Sequence, residues 1–277
     1  MGFAHRVDGD KKVSLNDIDP GQHNGQNRPE AEALTQKLGA EMAELLDLLF
    51  EAGMHSLLIV LQGRDTSGKD GTIRHLLQYS NAQSCRVAPF KIPTEEERAH
   101  DFLWRVHQQT PGCGSIAIFN RSHYEDVIVV RVHNLVPEKV WRRRYDHINH
   151  FENLLLDADT ILLKFYLHIS KEEQEQRLLE RENETEKAWK LNVGDWKERE
   201  LWDDYTRANE DALNNCSSHQ APWYVVPANH KWFRNLAITD AIVTTLRPYR
   251  KQWLDHLTQV GATAKAELEA YRGSLKK

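Results

Sequence analysis

The chain predicts an α/β fold: a parallel sheet of about five strands flanked by helices. Short apolar runs recur along it, helical-period segments alternate with them, and one run leads into a glycine-rich turn that opens a helix. The runs are "LLIVLQ" (57–62), "IAIFN" (116–120), "TILLKFYL" (160–167) and "WYVVP" (223–227), with "RVAPF" (86–90) as a weaker member. They are apolar on both faces, as strands covered by helices on two sides must be.

Residues 1–28 are polar and rich in Gly, Asn and Asp, which predicts an extended or loosely attached arm. From Pro29 to Ala52, Leu34, Leu38, Met42, Leu45 and Leu49 recur at three- and four-residue steps, the period of an amphipathic helix packed on the sheet. Thr94, followed by three acids, is an N-cap, and Pro137 opens a helix whose Trp141, Tyr145, Ile148 and Leu155 form a core stripe. Ser170 and Glu173 have the spacing of a capping box, and the helix they start puts Arg177 and Arg181 one turn apart on one face. After Trp196 the chain reads as long helices to its end, apart from the run at 223–227. The expected divisions are an arm (1–28), a main domain (29–255) and a helical tail (256–277).

The bulk composition narrows the function. Lys and Arg number 36 against 41 Asp and Glu, a formal charge of -5, so no global positive field attracts nucleic acid or an anionic membrane. A polyanion must instead meet a local basic patch. Cys85, Cys113 and Cys216 are scattered without a C-x-x-C pair, which argues for reduced thiols rather than disulfides or zinc. The N-terminus lacks an apolar signal region, and no run approaches the roughly 18 apolar residues of a spanning helix. A cytoplasmic protein is expected.

The chemistry is concentrated at "VLQGRDTSGKDGT" (60–72), where a strand runs into Gly63-x-x-x-x-Gly68-Lys69 and then a helix. In that setting glycines let backbone N–H groups approach phosphate oxygens and the lysine reaches over them. Gly63, Arg64, Thr66, Ser67, Gly68, Lys69, Asp70 and Gly71 are therefore candidate phosphate-binding residues. Two acids are out of place: Asp70 stands where Ser or Thr usually ligates Mg²⁺, and Asp65 lies inside the loop. A carboxylate beside phosphate oxygens repels them unless it holds a cation or accepts a proton from the attacking oxygen. Asp70 could otherwise offset the helix N-terminal dipole, and Asp65 could close an Asx turn.

A second strand usually supplies an acid that orients the metal. Here "SIAIFNRSHYEDVIVVRVH" (115–133) offers Asn120 at that place, followed by Arg121, His123, Glu125 and Asp126.

Taken together, "GRDTSGKDG", "FKIPTEEERAHDFLWRVH" and "FNRSHYEDV" resemble the second family of polyphosphate kinases, over about residues 30 to 250. The resemblance implies a P-loop kinase fold like that of thymidylate kinase, a helical lid at about 177–196, and phosphoryl transfer between inorganic polyphosphate and nucleotides. It also implies Mg²⁺, with Mn²⁺ as an alternative, and homodimers or homotetramers. The "NRSHYED" string resembles the subgroup that phosphorylates nucleoside mono- and diphosphates. By the same resemblance Asp65 handles the metal or a proton, Lys69 binds phosphate and Arg121 contacts the phosphate chain. Many members carry Asp where this chain has Asn120. The candidate metal set is therefore Asp65, Asp70 and Asn120, with Glu125 or Asp126 restoring the missing charge.

Polyphosphate carries charge on every unit and has no base to recognise, so its site needs repeated cations along a groove. Lys91, Arg177, Arg181, Lys187 and Lys190 are the expected contacts, with Arg177 and Arg181 also assigned to catalysis. The two arginines could instead be solvated ends bridged to Glu173 and Glu180. His123 is expected to be a hydrogen-bonding support rather than a phosphoryl carrier. The alternatives are an ATP-dependent nucleoside monophosphate kinase and a non-catalytic P-loop module.

Overall fold

The computed structural model describes residues 2–183 and 193–275. At its centre β2 (Ser56–Gly63) runs parallel to β4 (Ile116–Asn120) on one side and β5 (Thr160–His168) on the other. With β3 (Cys85–Pro89), β6 (Trp223–Pro227) and β1 (His5–Val7) the sheet has six strands in the order β1-β6-β5-β2-β4-β3. All pairs are parallel except β1 with β6.

Alternation along β2 divides the core in two. Leu57, Ile59 and Leu61 enter one cluster, with apolar residues of α1 (Arg28–Ala52), α2 (Lys69–Leu77) and α10 (Lys231–Leu246), and Trp253 of α11 (Arg250–Ser274). Leu58 and Val60 enter the other, with α5 (Glu125–Val132), α6 (Glu138–Asp157) and α9 (Trp202–Asn215). Successive strand side chains point to opposite faces, so a run apolar at every position is buried on both. The shorter helices α3 (Glu95–Ala99) and α4 (Trp104–His107) follow β3, while α7 (Lys171–Asn183) follows β5 and α8 (Val193–Glu198) precedes α9.

Local signals explain the helix ends. The Asn27 side chain accepts from the Glu30 N–H at the start of α1, and α1 ends at Gly53 with φ +61°. Thr94 and Glu97 form a reciprocal capping box. The box expected at Ser170 is only half made: the Ser170 hydroxyl accepts from the Glu173 N–H at 3.1 Å, but the Glu173 carboxylate turns to Arg177. A fully charged guanidinium one turn away is a stronger partner than a backbone N–H.

The sixth strand comes from the segment read as an arm. Val7, Leu15 and Ile18 are buried, the Val13 and Leu15 N–H groups donate to Asn214 and Glu210 of α9 at 2.7 Å each, and the His168 ring bonds the Ile18 carbonyl. Three apolar anchors at irregular spacing give no periodic signal, so the docking depends on tertiary partners. Among the described residues no helix is long and apolar enough to cross a membrane.

Candidate active site

The glycine loop leaves β2 and becomes α2 at the carboxyl end of the sheet, where parallel α/β folds open their crevices. Gly63 (φ +148°) and Gly68 (φ +104°) take conformations that other residues rarely adopt. Space is equally limiting, since a Cβ on Gly63 would stand 2.8 Å from the Leu167 carbonyl oxygen. Lys69 folds back over the loop, and its Nζ donates to the Gly63 and Arg64 carbonyls at 2.7 and 3.0 Å. Burial, then the nearby Arg121 charge, push the Lys69 ammonium down to about 8, against the opposing pull of Asp65, Glu125 and Asp70. Among the described residues the buried hydroxyls of Thr66, Ser67 and Thr72 have no hydrogen-bond partner. Unsatisfied donors cost about 1–3 kcal/mol each, and a phosphate oxygen lying against the loop would accept from them.

The end of β4 meets this loop because Asn120 is in register with Leu61. The Arg121 N–H donates to the Leu61 carbonyl at 3.1 Å, and Arg121 adopts φ +64°, strained for a side chain with a Cβ. Its guanidinium then bridges two acids, Asp65 at 2.6 Å and Glu125 at 3.1 Å. Burial opposes the Arg121 charge, but Glu125 and Asp65 outweigh it and hold the group above its ordinary value. Beside it the Asn120 amide donates to Asp70 at 3.1 Å. The loop acids, Asn120, Arg121 and Glu125 therefore form one contiguous site.

Asp126 does not join it. Its carboxylate lies 3.1 Å from Arg144 and 3.7 Å from Arg105, away from the loop. Burial raises its pKa, with those two arginines opposing. Consecutive residues on a helix point about 100° apart, so at the start of α5 only one of Glu125 and Asp126 can face Arg121.

An open groove of about 1040 Å³ runs past the loop, lined by Asp65, Asp70, Asn120, Lys69, Lys91, Arg121 and Arg181, among others. Arg177 reaches the wall, but its guanidinium is largely engaged: Glu173 at 2.7 Å, and the carbonyls of Thr66, Ala228 and Asn229 at 2.7–2.9 Å. It braces the loop against the β6–α10 connection. Arg181 pairs with Asp195 of α8 at 3.0 Å. Arg64 leaves the groove, stacks over Trp202 at 3.6 Å and bonds the Trp202 carbonyl and the Thr206 hydroxyl. It lines a second, small cavity of about 40 Å³ with Asp65, Arg121, Glu125 and Tyr205. Lys187 and Lys190 lie outside the described residues.

His123 and Tyr124 turn into the core. The Glu152 carboxylate binds the Tyr124 hydroxyl at 2.7 Å and Lys164 at 2.5 Å, with the His123 ring at 3.3 Å, and Lys164 also donates to the Cys216 carbonyl. His123 and Lys164 are fully buried. His123 therefore anchors the β4–α5 turn from behind, out of reach of a phosphate chain.

Two groove cations were not singled out from the sequence: Lys231 and Arg234, which line the wall together with Arg74. The available signal was "NHKWFRN" after the last strand, two cations in the opening turns of a helix, where the dipole disfavours them.

The family model for polyphosphate kinase 2 (PPK2) matches residues 25–253. The AMP/ADP-polyphosphate phosphotransferase of Meiothermus ruber is 48% identical over 252 residues, covering 90% of this chain and 94% of that protein. The ADP-polyphosphate phosphotransferase of Rhodopseudomonas palustris is 40% identical, covering 76% and 78%. Among solved structures, polyphosphate kinase 2 from Arthrobacter aurescens superposes with a TM-score of 0.85 at 38% identity, covering 87% of this chain and 88% of that one.

Proposed function

The chain belongs to the polyphosphate kinase 2 family, and we propose that it transfers phosphoryl groups reversibly from inorganic polyphosphate to AMP and ADP. The observation that carries this reading is the acid-bearing phosphate loop opening onto a groove with cations spread along its length. A donor charged on every unit matches distributed cations better than a nucleoside triphosphate, whose charge is gathered at one end.

In the proposed reaction the loop and Lys69 hold the donor's reacting end, and Arg121 offsets charge that builds on the transferred group. The attacking oxygen belongs to a nucleotide phosphate whose last proton leaves at a pKa near about 6. It is ionised at neutral pH and needs alignment more than a base. That favours a cation-holding role for Asp65 over proton acceptance.

Mg²⁺ fits the residues present. Asp65, Asp70 and Glu125 offer hard oxygen donors and Asn120 an amide oxygen, whereas Asp126, committed to Arg144 and Arg105, does not fit. Among the described residues these acids form no close three-ligand cluster. Mg²⁺ commonly takes one or two carboxylates and completes its shell with water and substrate phosphates. When bound it would supply charge neutralisation between donor and acceptor oxygens. Mn²⁺ would suit the same donors.

We extend the proposal to a lid at about 177–196, of which 184–192 lie outside the described residues, a homodimer or homotetramer, and a cytoplasmic enzyme with neither nucleic acid nor membrane as partner. The lid and oligomer follow from the family resemblance, and the location and absent partners from the net charge and cysteine pattern.

Purified protein incubated with Mg²⁺, long-chain polyphosphate and AMP or ADP, with no triphosphate added, tests the reaction. ADP and ATP should accumulate. Phosphorylation of AMP from ATP without any product from polyphosphate would show an ordinary nucleoside monophosphate kinase instead.

A further inference from the structure

The last helix runs on past the body that carries the site. α11 extends from Arg250 to Ser274, yet Trp253 is its only buried residue. Leu257 is half-buried against the core cluster that holds α1, and every residue from 258 to 275 is exposed. At about 1.5 Å per residue this segment carries the chain about 27 Å outward. The family match ends at residue 253, before the segment begins.

The segment is not patterned like a solvated helix. Leu257, Gly261, Ala264, Leu268, Tyr271 and Leu275 follow one another at alternating steps of four and three residues, the heptad spacing of a helix-to-helix seam. Leu268, Tyr271 and Leu275 are 46%, 62% and 66% exposed. Gly261 stands mid-helix, where glycine weakens the helix. A Cβ there would meet nothing within 4 Å, so the packing of this chain does not call for glycine. With Ala264 beside it on the seam, it leaves room for a second helix to come close. Glu267 and Arg272 flank the seam on opposite sides, and among the described residues neither makes an ion pair. A helix of this length is marginal in water by itself and depends on packing its apolar face.

We propose that 258–275 pairs in parallel with the same segment of a second copy of this chain, as a short two-stranded coiled coil. In that register each seam residue meets its own counterpart, and Glu267, just before one seam position, faces Arg272 of the second copy five places on. The two-fold axis makes that pair twice. Antiparallel pairing would instead set the flank carrying Lys265 and Arg272 against its own like charges. The pairing gives the proposed oligomer an interface outside the family match, and it does not depend on the polyphosphate reading.

Sedimentation velocity of the full chain over a range of concentrations tests this. The wild type should associate reversibly. Leu268→Lys places a charge in the seam and should move the association midpoint to a concentration at least about tenfold higher, the effect of losing one buried leucine. Ala262→Glu, on the far side of the helix, should leave the midpoint in place. Arg272→Glu should weaken association, and adding Glu267→Arg should restore it by rebuilding the pair with reversed sign. All four positions are exposed in the single chain, so the exchanges leave its core intact. A wild type that is monomeric throughout, or a Leu268→Lys variant with the wild-type midpoint, would overturn the proposal. So would an Ala262→Glu effect as large as that of Leu268→Lys, or a double charge reversal without recovery. Product formation from polyphosphate in the same samples reports on the proposed reaction and has no bearing on the seam.

Discussion

Asp65 and Arg121 meet at 2.6 Å, although the acid lies in the loop after β2 and the arginine in the turn after β4. The contact joins the two halves of the site and explains how an acid is tolerated in a phosphate loop. The carboxylate is neutralised by a guanidinium that Glu125 also holds. When phosphates and a cation enter, the carboxylate can face the cation and the guanidinium the phosphates with little change of position.

Asp65→Asn keeps the shape and removes the charge. Turnover should fall at least about 10²-fold, the scale of losing one preorganised electrostatic contact. The variant should also need more Mg²⁺ to reach half its maximal rate. Near-normal rates across a Mg²⁺ titration would remove Asp65 from the cation site.

Lys69, held down to about 8, sets a pH dependence. Its charged form binds phosphate and prevails below that value, so kcat/KM for the donor should decline as pH rises through about 8. Bound phosphates stabilise the ammonium, which moves the matching limb of kcat to higher pH. A flat kcat/KM between pH 7 and 9.5, ranges chosen about the Lys69 value, would contradict this.

Arg177 and Arg181 should separate cleanly. Arg177→Ala leaves the Thr66, Ala228 and Asn229 carbonyls without their donor, so the melting temperature should drop with a loss of about 1–3 kcal/mol. Arg181→Ala, on the groove, should barely move the melting temperature. It should lower kcat, by up to about 10³-fold if Arg181 stabilises charge in the transition state. Equal stability losses in both would show that neither is a ligand contact.

Behind the site, Lys164→Met strips the buried Glu152 of its cation. Leaving a buried charge unpaired costs about 3–5 kcal/mol, visible as a shifted urea midpoint. Adding Glu152→Leu should recover much of that loss. A single variant as stable as the wild type would show that water reaches Glu152.

The sheet was legible because burial on both faces leaves its mark on every residue of β2, β4 and β5. The loop was legible because glycine, lysine and the strand-to-helix context occur together in sequence. Direction was harder to read. Glu125 and Asp126 are adjacent and chemically alike, and only the pitch of α5 and the presence of Arg144 on α6 separate them. Arg177 and Arg181 share a helical face, yet carbonyls from three distant residues engage the first. Arg234 escaped notice because its contact with the loop at Gly68 comes from tertiary packing, which spacing along a chain does not reveal.

The short strand β1 closes the flank of the sheet beside β6. A chain lacking its first eight residues would present β6 as an open template for another molecule's backbone, the geometry through which native proteins stack into aggregates. With only three residues, β1 becomes the edge itself and offers little backbone for a further strand to pair with.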